Sequence, residues 1–230
     1  MEKNNIYYQA IKPYITGESA SCSYCDRIEP LIIYHGRHFY ITVAIGAYMP
    51  GYIQLCSYKH RTSVTGILPV EREEFNFLSV TIRNSFKSVY GNYGIGFEHG
   101  QAGTCLWKEN HINSLCHHMH VHYLPSTINI HDDIASIFYN YTEVSDIYDM
   151  VKFRENVLCG NPYLYFSPTP DKGYMYNVTG LDVPRQYLRS CVANKLGISE
   201  KADWQKYPGD EYYEQTIKVL SDSIAKEMNK

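Results

Sequence analysis

The hydrophobic and polar positions of this chain follow the short period of strands in some segments and the longer period of helices in others. In the first third, runs rich in β-branched and aromatic residues are separated by Gly36 and by Met49-Pro50-Gly51, as is typical of strands joined by turns. Strands are predicted over residues 31–34, 38–45 and 51–57. Their short connections favour an antiparallel meander.

A long amphipathic helix is predicted to follow these strands. Pro69 begins the segment and Gly91 ends it. Apolar residues recur between them at helical spacing: Phe75, Leu78, Ile82, Phe86 and Val89. A helix with one apolar face packs on a sheet, so the expected fold class is α+β.

The rest of the chain is predicted to contain more elements of both kinds. Further strands are expected over residues 95–99, 119–124, 163–166 and 174–178. Further helices are expected over residues 132–141, 184–197 and 213–224. Because the sequence has neither an internal repeat nor a low-complexity linker, we expect a core over residues 1–140 and an extension over 141–230 that packs on it.

Composition and charge narrow the range of functions. The 230 residues, 44% of them hydrophobic, suffice for a sizeable core. Lys and Arg number 21 against 24 for Asp and Glu, so the net charge of −3 requires neither a long nucleic acid nor a membrane surface as partner. The N-terminus has no basic region followed by an apolar stretch, and no run approaches the roughly 20 apolar residues of a membrane span. We expect a cytoplasmic protein.

The cysteines favour metal binding over disulfide bonding. Their number, seven, is odd for a disulfide framework. Cys22 and Cys25 form a Cys-x-x-Cys pair, a spacing that suits a metal ion in a reducing compartment. The pair alone is ambiguous, because a tetrahedral zinc site needs two further nitrogen or sulfur ligands. The remaining cysteines are expected to be packing residues: Cys56, Cys105, Cys116, Cys159 and Cys191.

The most informative segment is the strand predicted over residues 119–124. Successive side chains of a strand point to opposite faces, so His118, His120 and His122 share one face. The apolar alternate face can pack on the helix, which leaves the histidine face open. Either the histidines coordinate a metal, or one attacks an electrophile while its neighbours orient it. The first and third lie roughly 13 Å apart along a straight strand, which disfavours one ion bound by all three.

These residues resemble the signature of the histidine triad (HIT) superfamily. The run His118-Met-His120-Val-His122-Tyr-Leu matches the family pattern of three histidines alternating with hydrophobic residues at every position. Other matches lie in the same order as in the family, over roughly residues 20–125: Gly51-Tyr-Ile-Gln-Leu with Lys59-His60, the long helix, and Phe97-Glu98-His99-Gly100. The resemblance implies a HIT-like α+β fold, with the long helix packed on an antiparallel sheet.

The resemblance also implies a reaction. Family members attack the α-phosphorus of a nucleotide with the middle histidine, and the nucleotidyl-histidine intermediate is released to water, phosphate or another acceptor. His120 matches this nucleophile. His122 matches the third histidine, which contacts the phosphate and leaving group in hydrolases, whereas the uridylyltransferase branch carries glutamine there. Hydrolysis or phosphorolysis of a nucleoside phosphate or dinucleoside polyphosphate is therefore favoured.

Substrate contacts are expected near the start of the histidine strand. Asn113 and Ser114 are candidate donors to a phosphate, and His99 is a candidate on a neighbouring strand. The match is imperfect here, since the family serine normally lies three residues before the first histidine, where this chain has Leu115.

The zinc-bearing branch of the family, related to the galactose-1-phosphate uridylyltransferases, supplies a ligand set. It implies a structural zinc held by two cysteines, a histidine before the helix and the first triad histidine, here Cys22, Cys25, His60 and His118. The resemblance also implies a homodimer.

Two other functions stay open. One is a nucleotidyltransferase in a small-molecule pathway, and the other is a nucleotide-binding regulatory protein with incidental catalysis.

Overall fold

The computed structural model describes residues 5–19, 21–100, 118–145, 161–184 and 186–230. Within these ranges the strands are β1 (Ile32–His35), β2 (Phe39–Val43), β3 (Ile53–Ser57), β4 (Ile95–Gly100), β5 (His120–Leu124), β6 (Tyr141–Val144), β7 (Tyr163–Thr169) and β8 (Lys172–Asn177). The α-helices are α1 (Ile6–Ile15), α2 (Ser23–Asp26), α3 (Arg72–Tyr90), α4 (His131–Ala135), α5 (Tyr187–Lys195) and α6 (Tyr213–Met228).

The strands form one antiparallel sheet in the order β1-β2-β3-β5-β4-β7-β8-β6. The predicted meander is confirmed for β1 to β3. Beyond β3 the order changes, because β5 pairs between β3 and β4 and so lies inside the sheet. β7 pairs with the other edge of β4, so residues on both sides of the boundary predicted at 140 share one sheet.

Helices cover both faces of the sheet. On one face, α3 and α6 pack together over an apolar cluster that includes Leu78, Ile82 and Val121. On the other face, α1, α4 and α5 contribute to a second cluster, which includes Phe97 and Leu188. The α+β fold class is thereby confirmed. None of the helices in the described ranges combines the length and apolar character needed to cross a membrane.

The long helix ends as its sequence predicts. A short 3₁₀ turn at Pro69–Glu71 leads into α3, and Gly91 caps the helix in the left-handed region at φ 77°. Glycine adopts this conformation without strain from a Cβ atom. The chain can therefore reverse directly into β4.

Two expected helices differ from the structure, and one helix was not expected. The helix predicted over 132–141 is only the five-residue α4, and Tyr141 instead begins β6. The helix predicted from Pro184 begins at Tyr187, because Gln186 adopts a left-handed conformation at φ 53°. The helix α1 was not predicted from the sequence. Asn5 caps it by accepting a hydrogen bond from the Tyr7 N–H at 2.9 Å.

Candidate active site

The central position of β5 brings its histidines among side chains from β3 and β4. His120 lies opposite Cys56 of β3, and His122 lies between Gln54 of β3 and Phe97 of β4. His118 precedes the strand and is buried, with 3% of its surface exposed. His120 and His122 are half-buried.

A backbone hydrogen bond fixes the proton of His120. Its Nδ1 lies 2.7 Å from the carbonyl oxygen of His118. A carbonyl can only accept, so Nδ1 carries the proton, and the neutral ring has its lone pair on Nε2. The ring of Tyr24 stacks on one face of His120, with a centroid distance of 4.5 Å and an interplanar angle of 17°. The other ring nitrogen, Nε2, thus carries the lone pair of the neutral ring, and the ring is held in orientation.

His122 carries its proton on Nε2, whereas His120 carries its proton on Nδ1. The Tyr52 hydroxyl is 2.7 Å from Nδ1 of His122, and the Gln54 amide nitrogen is 3.4 Å from the same atom. An amide nitrogen can only donate, and the Tyr52 hydroxyl, whose pKa is raised by burial, is protonated and can donate to the same atom. Nδ1 therefore accepts, and neutral His122 carries its hydrogen on Nε2. His122 presents a donor where His120 presents a lone pair.

The surroundings of His122 keep it uncharged. Burial lowers its pKa well below the ordinary value of 6.5, and His120, Arg189 and His99 lower it further by charge repulsion. Phe97 stacks on its ring, with centroids 4.5 Å apart. At neutral pH the third histidine is a neutral hydrogen-bond donor.

His99 faces the C-terminal part of the chain. Its Nε2 accepts the N–H of Leu188 in the first turn of α5, at 3.1 Å. This bond ties β4 to α5. A contact between His99 and substrate stays a prediction, as do the contacts expected of Asn113 and Ser114, which lie outside the described residues.

The four predicted metal ligands lie together. The Sγ atoms of Cys22 and Cys25 and one ring nitrogen each of His60 and His118 lie within 4.8 Å of one another. The Nδ1 of His118 is 3.7 Å from the Cys22 sulfur and 3.4 Å from the Cys25 sulfur. The Nδ1 of His60 is 3.1 Å from the Cys25 sulfur. This Cys-Cys-His-His cluster could bind a metal ion.

The distances from His118 to the two cysteine sulfurs, and the protonation of His118, fit a tetrahedral metal site. Zinc bonds of about 2.1 Å to nitrogen and 2.3 Å to sulfur place neighbouring ligand atoms roughly 3.4 to 3.8 Å apart. The Nε2 of His118 lies 2.7 Å from the carbonyl oxygen of Ser57, so it donates there and leaves Nδ1 as the ligand atom. Burial and the neighbouring Cys22 raise the pKa of the Cys25 thiol to about 11, so a nearby cation would be needed to hold both thiolates.

The extension reaches the site through a buried arginine. Arg189 of α5 is buried, with 5% of its surface exposed. Its guanidinium lies 4.7 Å from the ring centroid of Tyr48 and 5.4 Å from that of Tyr52, and it donates to the Gly46 carbonyl oxygen. Gly46 is required here, since its φ is 75° and a Cβ atom there would lie 2.3 Å from the Cβ of Trp204. The histidine face, expected to be open, is therefore partly covered.

Sequence reasoning missed the side chains that orient the histidines, namely Tyr24, Tyr52 and Gln54. Tyr24 lies inside the Cys-x-x-Cys pair, and Tyr52 and Gln54 lie inside the matched segment that starts at Gly51. Both signals were present in the sequence. Which histidine each side chain meets depends on the register between β3 and β5.

A cavity of about 1030 Å³ lies elsewhere, against α3, where Arg83 and Tyr123 are among the lining residues. None of the triad histidines lines it. The candidate active site is therefore identified from the hydrogen bonds of its histidines and not from this cavity.

Comparison with known proteins finds similar solved structures. No protein-family profile matches the sequence, and no curated protein matches it. The chain is similar to a HIT-like protein involved in cell-cycle regulation from Bartonella henselae, with 15% identity and a TM-score of 0.32, over 54% of this chain and 80% of that one. It is also similar to a HIT family hydrolase from Clostridium thermocellum, with 17% identity and a TM-score of 0.24, over 54% of this chain and 91% of that one.

Proposed function

We propose that this chain is a HIT-type nucleotide hydrolase or phosphorylase that acts at the α-phosphate through a covalent nucleotidyl-histidine. One observation carries the proposal: the hydrogen bond from Nδ1 of His120 to the His118 carbonyl, at 2.7 Å, leaves Nε2 as a neutral lone pair. Neutral imidazole is a competent nucleophile, and the bond prevents the ring from presenting the wrong nitrogen.

The first step exchanges one bond at phosphorus for another. The Nε2 lone pair of His120 attacks the α-phosphorus, and the bond from phosphorus to the leaving-group oxygen breaks with its electron pair. The Nε2–H of His122 is the donor proposed to face that oxygen or a phosphate oxygen. The His118 carbonyl stabilises the positive charge that develops on the attacking ring, because it accepts from Nδ1.

The second step releases the nucleotide. Water or phosphate attacks the α-phosphorus and the bond to Nε2 breaks with its electron pair, which returns His120 to its starting state; when water attacks, its proton is released to solvent. Because His122 occupies the position of the third histidine, we favour these acceptors over a sugar phosphate. Transfer to another small molecule is the second candidate function.

The metal proposed for the Cys-Cys-His-His cluster is zinc, held by Cys22, Cys25, His60 and His118. When bound, it supplies structural cross-linking and no open coordination position. The residues themselves link this cluster to the reaction centre, because His118 takes part in the cluster through Nδ1 and accepts from His120 through its carbonyl oxygen.

A nucleotide panel with matched variants tests the proposal. Turnover of nucleoside phosphates and dinucleoside polyphosphates should fall by roughly 10³-fold or more in His120→Asn. His131→Asn, which changes a histidine on α4 bonded to Tyr176, should retain it. An intermediate discharged by water or phosphate supports the hydrolase or phosphorylase, and one discharged only by an added acceptor supports the transferase. Tight nucleotide binding without turnover would leave the regulatory protein.

A further inference from the structure

Tyr24 joins the metal cluster to the candidate nucleophile. It lies between Cys22 and Cys25 in sequence, and its ring stacks on His120 at 4.5 Å and 17°. The same ring is 5.5 Å from the ring of His118, at 33°. One aromatic side chain thus contacts both the histidine of the cluster and the histidine proposed to attack phosphorus.

The turn that carries Tyr24 is short and lies outside the apolar core. The turn is α2, only four residues long and with no buried residue, so it has no core packing of its own. A helix of one turn is not stable in isolation. The Tyr40 hydroxyl donates to the Tyr24 carbonyl at 2.8 Å, and the Gln54 amide donates to the Tyr24 hydroxyl at 3.1 Å. The two cysteine sulfurs flanking Tyr24 face Nδ1 of His118.

The hydrogen bond to the His118 carbonyl does not by itself fix the plane of the His120 ring. A single bond at Nδ1 permits the ring to tilt about the donor–acceptor direction, which would swing Nε2 sideways. An aromatic ring packed on one face opposes that tilt. A displacement of about 1 Å at a reacting atom can cost about a hundredfold in rate. The Tyr24 ring is placed to prevent such a displacement.

We propose that Tyr24 is a positioning residue that couples metal occupancy of the Cys-Cys-His-His cluster to the orientation of His120. Metal binding anchors both ends of the turn, and the anchored turn holds the Tyr24 ring against His120. Loss of the metal frees the turn and the ring together. The rate consequence rests on the proposed function, whereas the effect on the orientation of His120 does not.

Three variants of the 230-residue chain separate the ring from its hydroxyl and from the turn. Tyr24→Leu removes the stacking ring, and Tyr24→Phe keeps it. Tyr14→Leu is the control, because Tyr14 contacts the same turn through Asp26, at 2.6 Å. All three keep the cluster residues, so metal analysis should find the same zinc content in each.

The readout independent of activity is the NMR signal of the His120 Nδ1–H, assigned by its loss in His120→Asn. It should shift and broaden in Tyr24→Leu, and stay as in the wild type in Tyr24→Phe and Tyr14→Leu. The rate of nucleotidyl adduct formation should fall between about tenfold and a hundredfold in Tyr24→Leu alone. An unchanged signal in Tyr24→Leu would overturn the proposal. If no nucleotide forms an adduct in the wild type, the proposed function fails while the NMR result still decides the role of Tyr24.

Removal of the metal tests the coupling. Chelation of wild-type zinc should reproduce the His120 signal of Tyr24→Leu, and chelation of Tyr24→Leu should change that signal little further. If chelation has the same effect in both proteins, the coupling runs through His118 and the strand, and the assignment to Tyr24 is wrong.

Discussion

The buried carboxyl group of Glu98 should make the stability of this protein fall as the pH rises. Glu98 lies on β4 between Phe97 and His99, and 1% of its surface is exposed. Its oxygens accept from the Val64 N–H at 2.8 Å and from the Tyr163 hydroxyl at 2.6 Å. Burial outweighs both hydrogen bonds and raises the pKa of Glu98 from 4.5 to about 7.

The sign and size follow from where the proton is bound. Between pH 4.5 and 7 the folded state holds the proton of Glu98 and the unfolded state releases it, so the free energy of unfolding decreases as the pH rises. A pKa change from 4.5 to about 7 corresponds to about 3 kcal/mol at 1.36 kcal/mol per unit. Glu98→Gln mimics the protonated acid, because its oxygen can accept from Val64 while its amide donates to Tyr163.

Urea unfolding followed by circular dichroism between pH 4 and 8 measures this effect at constant metal content. The free energy of unfolding of the wild type, relative to Glu98→Gln, should fall by about 3 kcal/mol across that range. Other titrating groups are present in both proteins and cancel. Glu73→Gln, the same change at an exposed glutamate of α3, should give a curve parallel to the wild type. Parallel curves for wild type and Glu98→Gln would refute the reasoning.

Three further predictions concern the ion pair, the metal and the third histidine. The pKa of Glu71 is lowered to about 2, chiefly by a hydrogen bond from Arg61, so the wild type should lose about 3 kcal/mol relative to Glu71→Gln between pH 4.5 and 2, measured by urea unfolding. Cys22→Ser combined with Cys25→Ser should abolish metal binding and lower the calorimetric Tm by at least about 5 °C. Tyr52→Phe should reduce turnover about tenfold or more, by removing a donor to the third histidine.

Each of these has an outcome that contradicts it. If the free energy of unfolding changes equally with pH in the wild type and in Glu71→Gln below pH 4.5, the folded state does not stabilise the Glu71 carboxylate. Metal retained at one equivalent by the double serine variant would exclude the cysteines as ligands. Tyr123→Phe removes a buried hydroxyl on the opposite face of β5, where it donates to Ser79, and should leave turnover unchanged. An equal loss in both tyrosine variants would indicate a general packing defect.

The elements that the sequence predicted well are those with a long regular pattern. The apolar spacing from Phe75 to Val89 and the stop at Gly91 predict α3, and alternation from Met119 to Leu124 predicts β5. The helix α1 was not predicted because Pro13 lies inside it, and proline is unfavourable in a helix interior. It is tolerated here in the last turn.

The strand order could not be predicted from periodicity. β5 is separated from β4 by residues 101–119, yet it pairs between β3 and β4. Short connections favour pairing between strands that are neighbours in sequence. The alternation of residues in β5 does not indicate which strands pair with it. The contacts of Tyr52 and Gln54 with His122 follow from that strand order, so they could not be predicted from the sequence.

The grouping of the metal-cluster residues was predictable, including the link through His118 to the histidine strand, whereas the contact of Tyr24 with His120 was not. Spacing and family resemblance together named Cys22, Cys25, His60 and His118, which the structure brings within 4.8 Å. The burial of Arg189 was missed because a single helix face does not reveal what packs on it.

The central claim is that His120 becomes covalently bonded to the α-phosphorus of a nucleotide. Rapid quenching of the protein with a nucleotide, followed by intact-mass measurement and peptide mapping, tests it most directly. We predict a mass increase of one nucleoside monophosphate, mapped to His120, that disappears on longer incubation and is absent in His120→Asn. An enzyme that turns over its nucleotide with no adduct at any quench time, or an adduct that persists in His120→Asn, would contradict the account.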